Sequence, residues 1–233
     1  MARPTLVAHA LDVLMKRIID GVYTTEQPLP AQTELAQDLG VSRLTVREAL
    51  ETLRARRMVH VVHGRGTFVA PVEQWTDVNA ISQAAGGDEP GGDVARHVLE
   101  VRRMIEIGAA QLCALRRDES DCAELARLIA LMQQAHENDD VESFVEADVA
   151  FHDALLKGCR NPFLGIVYEP LMQILRRTRA QTSAVAAIRE HAIGWHQAIL
   201  DAVQAGDPET ARAAMSDHMQ QTDDDLHHYV LSG

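Results

Sequence analysis

The run GVSRLTVREAL at residues 40–50 decides the fold of the first third of the chain. Gly40 is predicted to close a short helix over residues 32–39, because glycine readily adopts the left-handed backbone that ends a helix. Ser42 is a favoured N-cap residue and begins a second helix over residues 43–57, whose apolar side chains recur at helical spacing. Two helices joined by such a tight turn are typical of a helix-turn-helix.

The segments on both sides of this motif complete a domain. Upstream, residues 6–20 place apolar side chains three or four positions apart, which predicts an amphipathic helix. Downstream, two short β-branched runs at 59–62 and 67–70 enclose a glycine-containing turn at 63–66, which predicts a hairpin. The sequence therefore predicts a winged helix-turn-helix over residues 1–72.

The second helix of the motif and the tip of the hairpin carry side chains suited to DNA. Arg43 and Arg47 are one helical turn apart on one face, and the arginine fork can hold guanine O6 and N7 together, or a phosphate in two places. A solvated basic helix face is the alternative for these two arginines alone. The ordered helices and the basic hairpin tip together favour DNA binding. The predicted DNA-binding residues are Arg43, Thr45, Arg47, His63, Gly64 and Arg65.

Charge is divided unevenly along the chain. The net charge of the whole chain is −12. Residues 1–72 hold nine Lys and Arg against seven Asp and Glu, whereas the remaining residues have a net charge of −14. The first part can therefore approach phosphates, and the acidic remainder is expected to stay away from them. Three cysteines without C-x-x-C spacing favour a reducing cytoplasm. The lack of a signal peptide or long apolar run predicts no membrane partner.

Helical periodicity dominates the second part of the chain. Residues 73–92 are predicted to be a linker, since Gly and Pro concentrate towards their end. From residue 93 to residue 233 no strand pattern occurs, and the sequence predicts an antiparallel α-helical bundle. The fold class is thus mainly α. The predicted helices cover about 93–117, 120–137, 141–157, 163–181, 184–205 and 208–229.

Four residues of this bundle have the spacing of a metal site. Asp148 and His152 are four apart on one helix and share a face. His196 and His218 lie ten residues before and after a predicted turn at 206–208, so their imidazoles are expected at similar heights in the bundle. One carboxylate and three imidazoles suit a divalent metal with room for a further ligand.

Other roles for these histidines stay open on spacing alone. The chain has 11 histidines, and most single histidines are surface residues or hydrogen-bonded core residues. His191 competes with His196 on the same helix. The two are rotated by about 140° from each other in helical geometry, so both cannot face one cavity.

The motifs of the first domain resemble the N-terminal domain of the GntR family of bacterial regulators. The similarity lies in LPAQTELA at 29–36, GVSRLTVREAL at 40–50 and GRGTFV at 64–69. It implies that the recognition helix and the hairpin contact an operator in double-stranded DNA. The family often has arginine where this chain has Thr33 and glutamate where it has Gln32, so one contact is expected to be missing.

The second part resembles the FCD effector domain of the FadR-like GntR subgroup. The similarity lies in DVAFH at 148–152, in NP at 161–162, and in the segments at 196–207 and 211–218. It favours His196 over His191. It implies that a divalent metal, commonly zinc, nickel or manganese, is bound and offers open positions to small carboxylates. The implied metal ligands are Asp148, His152, His196 and His218.

Arg102 is the predicted effector-binding residue. It lies in the opening helix of the bundle, where the family often has an arginine near the effector carboxylate. Arg102 and Glu106 are four residues apart, and a helix-surface ion pair of little energetic value is the alternative.

The sequence predicts a ligand-responsive DNA-binding regulator rather than an enzyme. A small organic acid is expected to bias the arrangement of a homodimer whose recognition helices read paired half-sites. A metal sensor is one alternative. A metalloenzyme with a DNA-binding arm is another, but no further general base is evident beside the four candidate ligands.

Overall fold

The computed structural model describes residues 5–86 and 93–231 and separates the chain into two compact units, with the boundary after Ala85. Both units are built mainly from helices, and the described residues form one small antiparallel sheet. The predicted fold class is confirmed. Among the described residues, no helix combines the length and the apolar character that crossing a membrane requires.

The first unit is the winged helix-turn-helix. Its elements are α1 (Leu6–Ile19), α2 (Gln32–Asp38), α3 (Arg43–Ala55), β1 (Val59–Val62), β2 (Gly66–Val69) and α4 (Val78–Ala84). The strands pair with Val59 opposite Val69, and the core lies where α1 packs on α3, around the fully buried Leu14, Val46 and Leu53.

Local sequence explains the turn between α2 and α3. Gly40 has a φ of +64°, a conformation that costs glycine little. The Ser42 hydroxyl then accepts a hydrogen bond of 3.1 Å from the backbone N–H of Thr45, which satisfies one of the free donors at the start of α3. The turn and the cap together set where α3 begins after α2.

The predicted linker at 73–92 begins too early. Trp75 is buried and donates a 2.8 Å hydrogen bond from its indole nitrogen to the carbonyl of Ala70. Ala80 on α4 is fully buried in the same core. These apolar side chains gain free energy by packing, so the first unit extends through α4. The rest of the predicted linker, residues 87–92, lies outside the described residues.

The second unit is a helical bundle in which α5 packs on α7, α10 and α11. Side chains at the starts of α6, α7 and α11 cap those helices, because the oxygens of Asp118, Asp140 and Asp207 accept backbone N–H groups. The helices are α5 (Asp93–Arg116), α6 (Glu119–Glu137), α7 (Val141–Gly158), α8 (Pro162–Tyr168), α9 (Met172–Thr182), α10 (Ala186–Ala205) and α11 (Pro208–Asp225), and a π-helical turn spans Leu226–Leu231.

The predicted single helix over 163–181 is divided in the structure. A 3-10 turn at Glu169–Leu171 separates α8 from α9. Pro170 lies in this turn, and proline lacks the N–H group that a continuous α-helix needs. The break gives α9 its own direction across the bundle.

The turn between α10 and α11 occurs where the sequence predicts it. Gly206 closes α10 with a φ of +69°, and Pro208 occupies the first turn of α11. Helices α10 and α11 then pack against each other along their length. This arrangement brings residues at equal distances from the turn to the same level of the bundle.

Candidate functional site

Three imidazoles meet inside the bundle. His152 on α7, His196 on α10 and His218 on α11 are buried, and each offers a ring nitrogen within 4.8 Å of the others. The Nε2 atoms of His152 and His196 are 3.1 Å apart. The ring of Phe151 packs on His196, with 4.3 Å between centroids. Histidines on three separate helices thus direct their ring nitrogen atoms to one point.

Asp148 completes this group, one helical turn before His152. Its Oδ1 atom lies 3.5 Å from His196 Nε2 and 3.9 Å from His152 Nε2. The structure therefore brings together all four residues that the sequence selects. His191 lies apart from them, and its Nδ1 atom is 3.1 Å from the buried carboxylate of Asp225.

Burial favours the neutral form of these imidazoles. Burial lowers the pKa of His196 and His218 well below the ordinary value, and the neighbouring histidines lower it further. Burial also lowers the pKa of His152, although the Glu106 carboxylate opposes this effect. Neutral imidazole is the form that binds a metal.

The donor set fits a divalent metal. Each neutral imidazole carries one lone pair that can bind a metal, and ring nitrogens of all three residues lie within 4.8 Å of one another. His196 Nδ1 has no hydrogen-bond partner among the described residues. A cation bound between the ring nitrogens would use these lone pairs, and the Asp148 carboxylate would add negative charge.

Arg102 lies next to this cluster and is buried. Its Nε atom donates a 2.7 Å hydrogen bond to Glu106 Oε1, and its Nη2 atom is 3.4 Å from His152 Nε2. The side chains of Arg102 and Glu106 are only 5% and 0% exposed. The surface ion pair considered as the alternative is therefore wrong.

Arg179 is a candidate residue that sequence reasoning missed. This buried side chain of α9 contacts the Asp148 carboxylate through Nη1, and its Nη2 atom has no hydrogen-bond partner among the described residues. Helix α9 carries further arginines at positions 176 and 177. Only the packing of α9 on α7 shows which of them points inward.

Arg102 and Arg179 line one small cavity. It lies between α5, α9 and α11 and encloses about 40 Å³. Three threonines add hydroxyl groups to a wall that is otherwise mostly aliphatic. The polar lining residues are Arg102, Thr178, Arg179, Thr182 and Thr222.

The predicted DNA-reading surface is exposed on the first unit, with one exception. Arg43 and Arg47 are exposed on α3, and the hairpin tip at residues 63–65 is exposed as well. Thr45 is only 8% exposed, and its hydroxyl group lies 2.8 Å from the capping hydroxyl of Ser42. Leu44, which the sequence analysis did not select, is 56% exposed beside the two arginines.

The hairpin tip has a geometry that would let its backbone come close to DNA. Gly64 has a φ of +71°, and its missing side chain leaves open space around the turn. The Arg65 guanidinium lies 5.5 Å from the centre of the Phe68 ring, within the range of a cation–π interaction.

Comparisons with known families match both parts of the chain. Residues 6–69 match the family described as "Bacterial regulatory proteins, gntR family", and residues 97–221 match the FCD domain. The FCD match covers more than half of the chain, and it contains each of the four candidate metal ligands together with Arg102.

Individual relatives resemble the chain over most of its length. The galactonate operon transcriptional repressor of Escherichia coli (strain K12) is 31% identical over 86% of this chain and 88% of the relative. The HTH-type transcriptional regulator LutR of Bacillus subtilis (strain 168) is 34% identical over 93% of this chain and 96% of the relative. A solved structure of Lar, which controls expression of the Listeria monocytogenes agr system, shares the fold. Its TM-score is 0.68 at 19% identity, covering 98% of this chain and all of Lar.

Proposed function

We propose a function from the premise that this chain belongs to the gntR family of bacterial regulatory proteins and carries an FCD domain. In this proposal, a divalent metal and a small carboxylate in the helical unit control the binding of the chain to DNA. The chain is a transcription regulator with a DNA-binding helix-turn-helix and is not an enzyme. The observation that supports the metal and the effector is the meeting of buried histidines from α7, α10 and α11 beside two buried arginines.

The metal would be held by Asp148, His152, His196 and His218. Three imidazoles and one carboxylate suit the borderline metals zinc and nickel, and manganese is the harder alternative. When bound, the metal would supply open coordination positions to an anionic ligand. Its positive charge would also offset the cost of burying the Asp148 carboxylate.

The effector is a small carboxylate. Arg102 and Arg179 place two guanidinium groups at one cavity, and such groups pair with carboxylate oxygens in a bidentate geometry. The threonine hydroxyls around them suit the hydroxyl groups of a hydroxy acid. The name of the Escherichia coli relative points in the same direction, because galactonate is a hydroxylated carboxylate.

The DNA contacts are assigned to both halves of the winged motif. Arg43 and Arg47 would read base edges or phosphates from α3, while His63, Gly64 and Arg65 would approach the backbone or a minor groove. We place Leu44 against a thymine methyl group in preference to a contact from the buried Thr45. Two copies of the chain would read paired half-sites, which is the usual geometry of helix-turn-helix proteins.

Metal content tests the site directly. The purified wild-type chain is expected to bind about one metal ion per chain, measured by elemental analysis after exchange into metal-free buffer. His196→Ala should lose most of it, because one ligand of the four is removed. His191→Ala is the matched control on the same helix and should retain the metal. Equal metal content in both variants would contradict the assigned ligands.

A second measurement distinguishes regulation by an organic acid from regulation by the metal alone. Metal-loaded protein is screened with galactonate, lactate and citrate for a rise in the unfolding temperature, because a ligand that binds only the folded state stabilises it. Stabilisation by one acid supports an organic effector. If no acid stabilises the protein and metal alone changes its DNA affinity, the chain is a metal sensor instead.

A further inference from the structure

We propose that Glu106 is a positioning residue that the metal site and the effector cavity share. It holds His152 with Nε2 directed to the metal, and it holds Arg102 at the wall of the cavity. This inference rests on the metal and effector roles proposed above. Glu106 itself would touch neither the metal nor the effector.

The Glu106 carboxylate is fully buried and surrounded by donors. Oε1 accepts the 2.7 Å hydrogen bond from Arg102 Nε and contacts the hydroxyl group of Tyr168. Oε2 contacts Nδ1 of His152 and lies 3.4 Å from Arg102 Nη2. Three elements, α5, α7 and α8, therefore meet at one carboxylate.

The contact with Glu106 decides which nitrogen of His152 carries the proton. A neutral imidazole has one N–H group, and a carboxylate beside Nδ1 accepts that hydrogen bond only when the proton is on Nδ1. Nε2 then carries the lone pair, which Arg102 Nη2 contacts at 3.4 Å. Nε2 is also the atom that lies 3.1 Å from His196 Nε2, at the centre of the candidate metal site.

This arrangement matches the way proteins orient metal-bound histidines. A histidine ligand commonly donates its second N–H group to a carboxylate, which fixes the ring and raises its basicity. Here the carboxylate comes from α5 and the ligand from α7, so the orientation of His152 depends on the packing of these two helices.

The same carboxylate connects the two binding events. A metal that fixes His152 also fixes Glu106, and Glu106 fixes the guanidinium of Arg102, whose Nη2 atom is 3.4 Å from His152 Nε2. Metal should therefore strengthen carboxylate binding, and by reciprocity the carboxylate should strengthen metal binding by the same factor. Replacing Glu106 should remove much of this coupling.

Cobalt binding and histidine NMR test this role. In Glu106→Gln the affinity for Co²⁺, measured by competition with a chelator, should fall by about 10–100-fold. Glu106→Asp should restore part of it. Glu100→Gln is the matched control, because Glu100 lies on the surface of the same helix and pairs with Arg96. It should bind Co²⁺ like the wild type.

Long-range ¹⁵N–¹H spectra of the metal-free chain report the tautomer without any metal. The wild-type spectrum should show His152 protonated on Nδ1, and Glu106→Gln should shift this population. A wild-type His152 protonated on Nε2 would overturn the proposal, even if the variants failed to fold. Wild-type protein that binds no Co²⁺ would refute the metal site itself. Unchanged affinity and tautomer in folded Glu106→Gln would refute only the role of Glu106.

Discussion

The DNA contacts that we propose for α3 depend on two exposed arginines. Arg47→Ala should weaken operator binding by about 1–3 kcal/mol, because a bidentate contact to a base edge has roughly that value. Arg54→Ala is the control on the same helix, since Arg54 pairs with Glu51 at the surface. It should change the affinity little.

Fluorescence anisotropy with labelled operator DNA measures both variants. The operator is obtained by selecting DNA fragments that the purified chain binds. The assignment of Arg47 would be refuted if both variants weakened binding equally, or if Arg47→Ala left the affinity unchanged.

The meeting of single residues in the candidate metal site could be predicted where helix geometry alone relates them. Asp148 and His152 share a face because they are four residues apart, and His196 faces His218 because both lie ten residues from one turn. The role of Arg179 could not be predicted this way, because its inward direction depends on how α9 packs. The burial of Thr45 could not be predicted from spacing either, since a hydroxyl group near a helix start can hydrogen-bond to the capping residue instead of facing outward.

Helix α9 is the element that we expect the proposed effector to move. The cavity beside it has a volume of about 40 Å³, and one water molecule needs about 10–15 Å³ of such volume, so a carboxylate with several carbons requires a larger opening. Helices α5 and α11 pack closely on each other, while α9 follows the 3-10 turn at Glu169–Leu171 and has no side-chain cap. Outward movement of α9 is therefore the way we expect the cavity to open.

Hydrogen exchange can locate this movement. In metal-loaded protein, a stabilising carboxylate should slow amide exchange in α9, because Arg179 gains a second anionic partner besides Asp148. Helix α6, which does not line the cavity, should exchange at the same rate with and without the acid. Slowing confined to helices other than α9 would contradict the assigned cavity.

Element boundaries were predictable where the residue type itself imposes the backbone. The glycine and proline at 206–208 set the end of α10 and the start of α11, and Gly40 sets the turn of the helix-turn-helix. The linker was less predictable, since the residues of α4 carry weak helical periodicity. The burial of Trp75 and Ala80 shows that this segment belongs to the first unit, and burial depends on the folded core.

At the scale of the whole molecule, the DNA-binding part and the rest of the chain differ in net charge. The DNA-binding part is only slightly basic, whereas residues 73–233 carry a balance of −14. With such a weak nonspecific attraction to phosphates, we expect affinity for DNA to depend on specific contacts and on the proposed pairing of two copies of the chain. A modest coupling from the helical unit would then be enough to change operator occupancy.

The most direct test of this account is the operator affinity of the metal-loaded chain with and without the stabilising carboxylate. In the wild type the acid should change the dissociation constant by about 5–150-fold, the usual range of coupling between two sites. His196→Ala, which should lose the metal, should show the same affinity with and without acid. The account would be contradicted if the wild type did not respond to the acid, or if His196→Ala responded as strongly as the wild type.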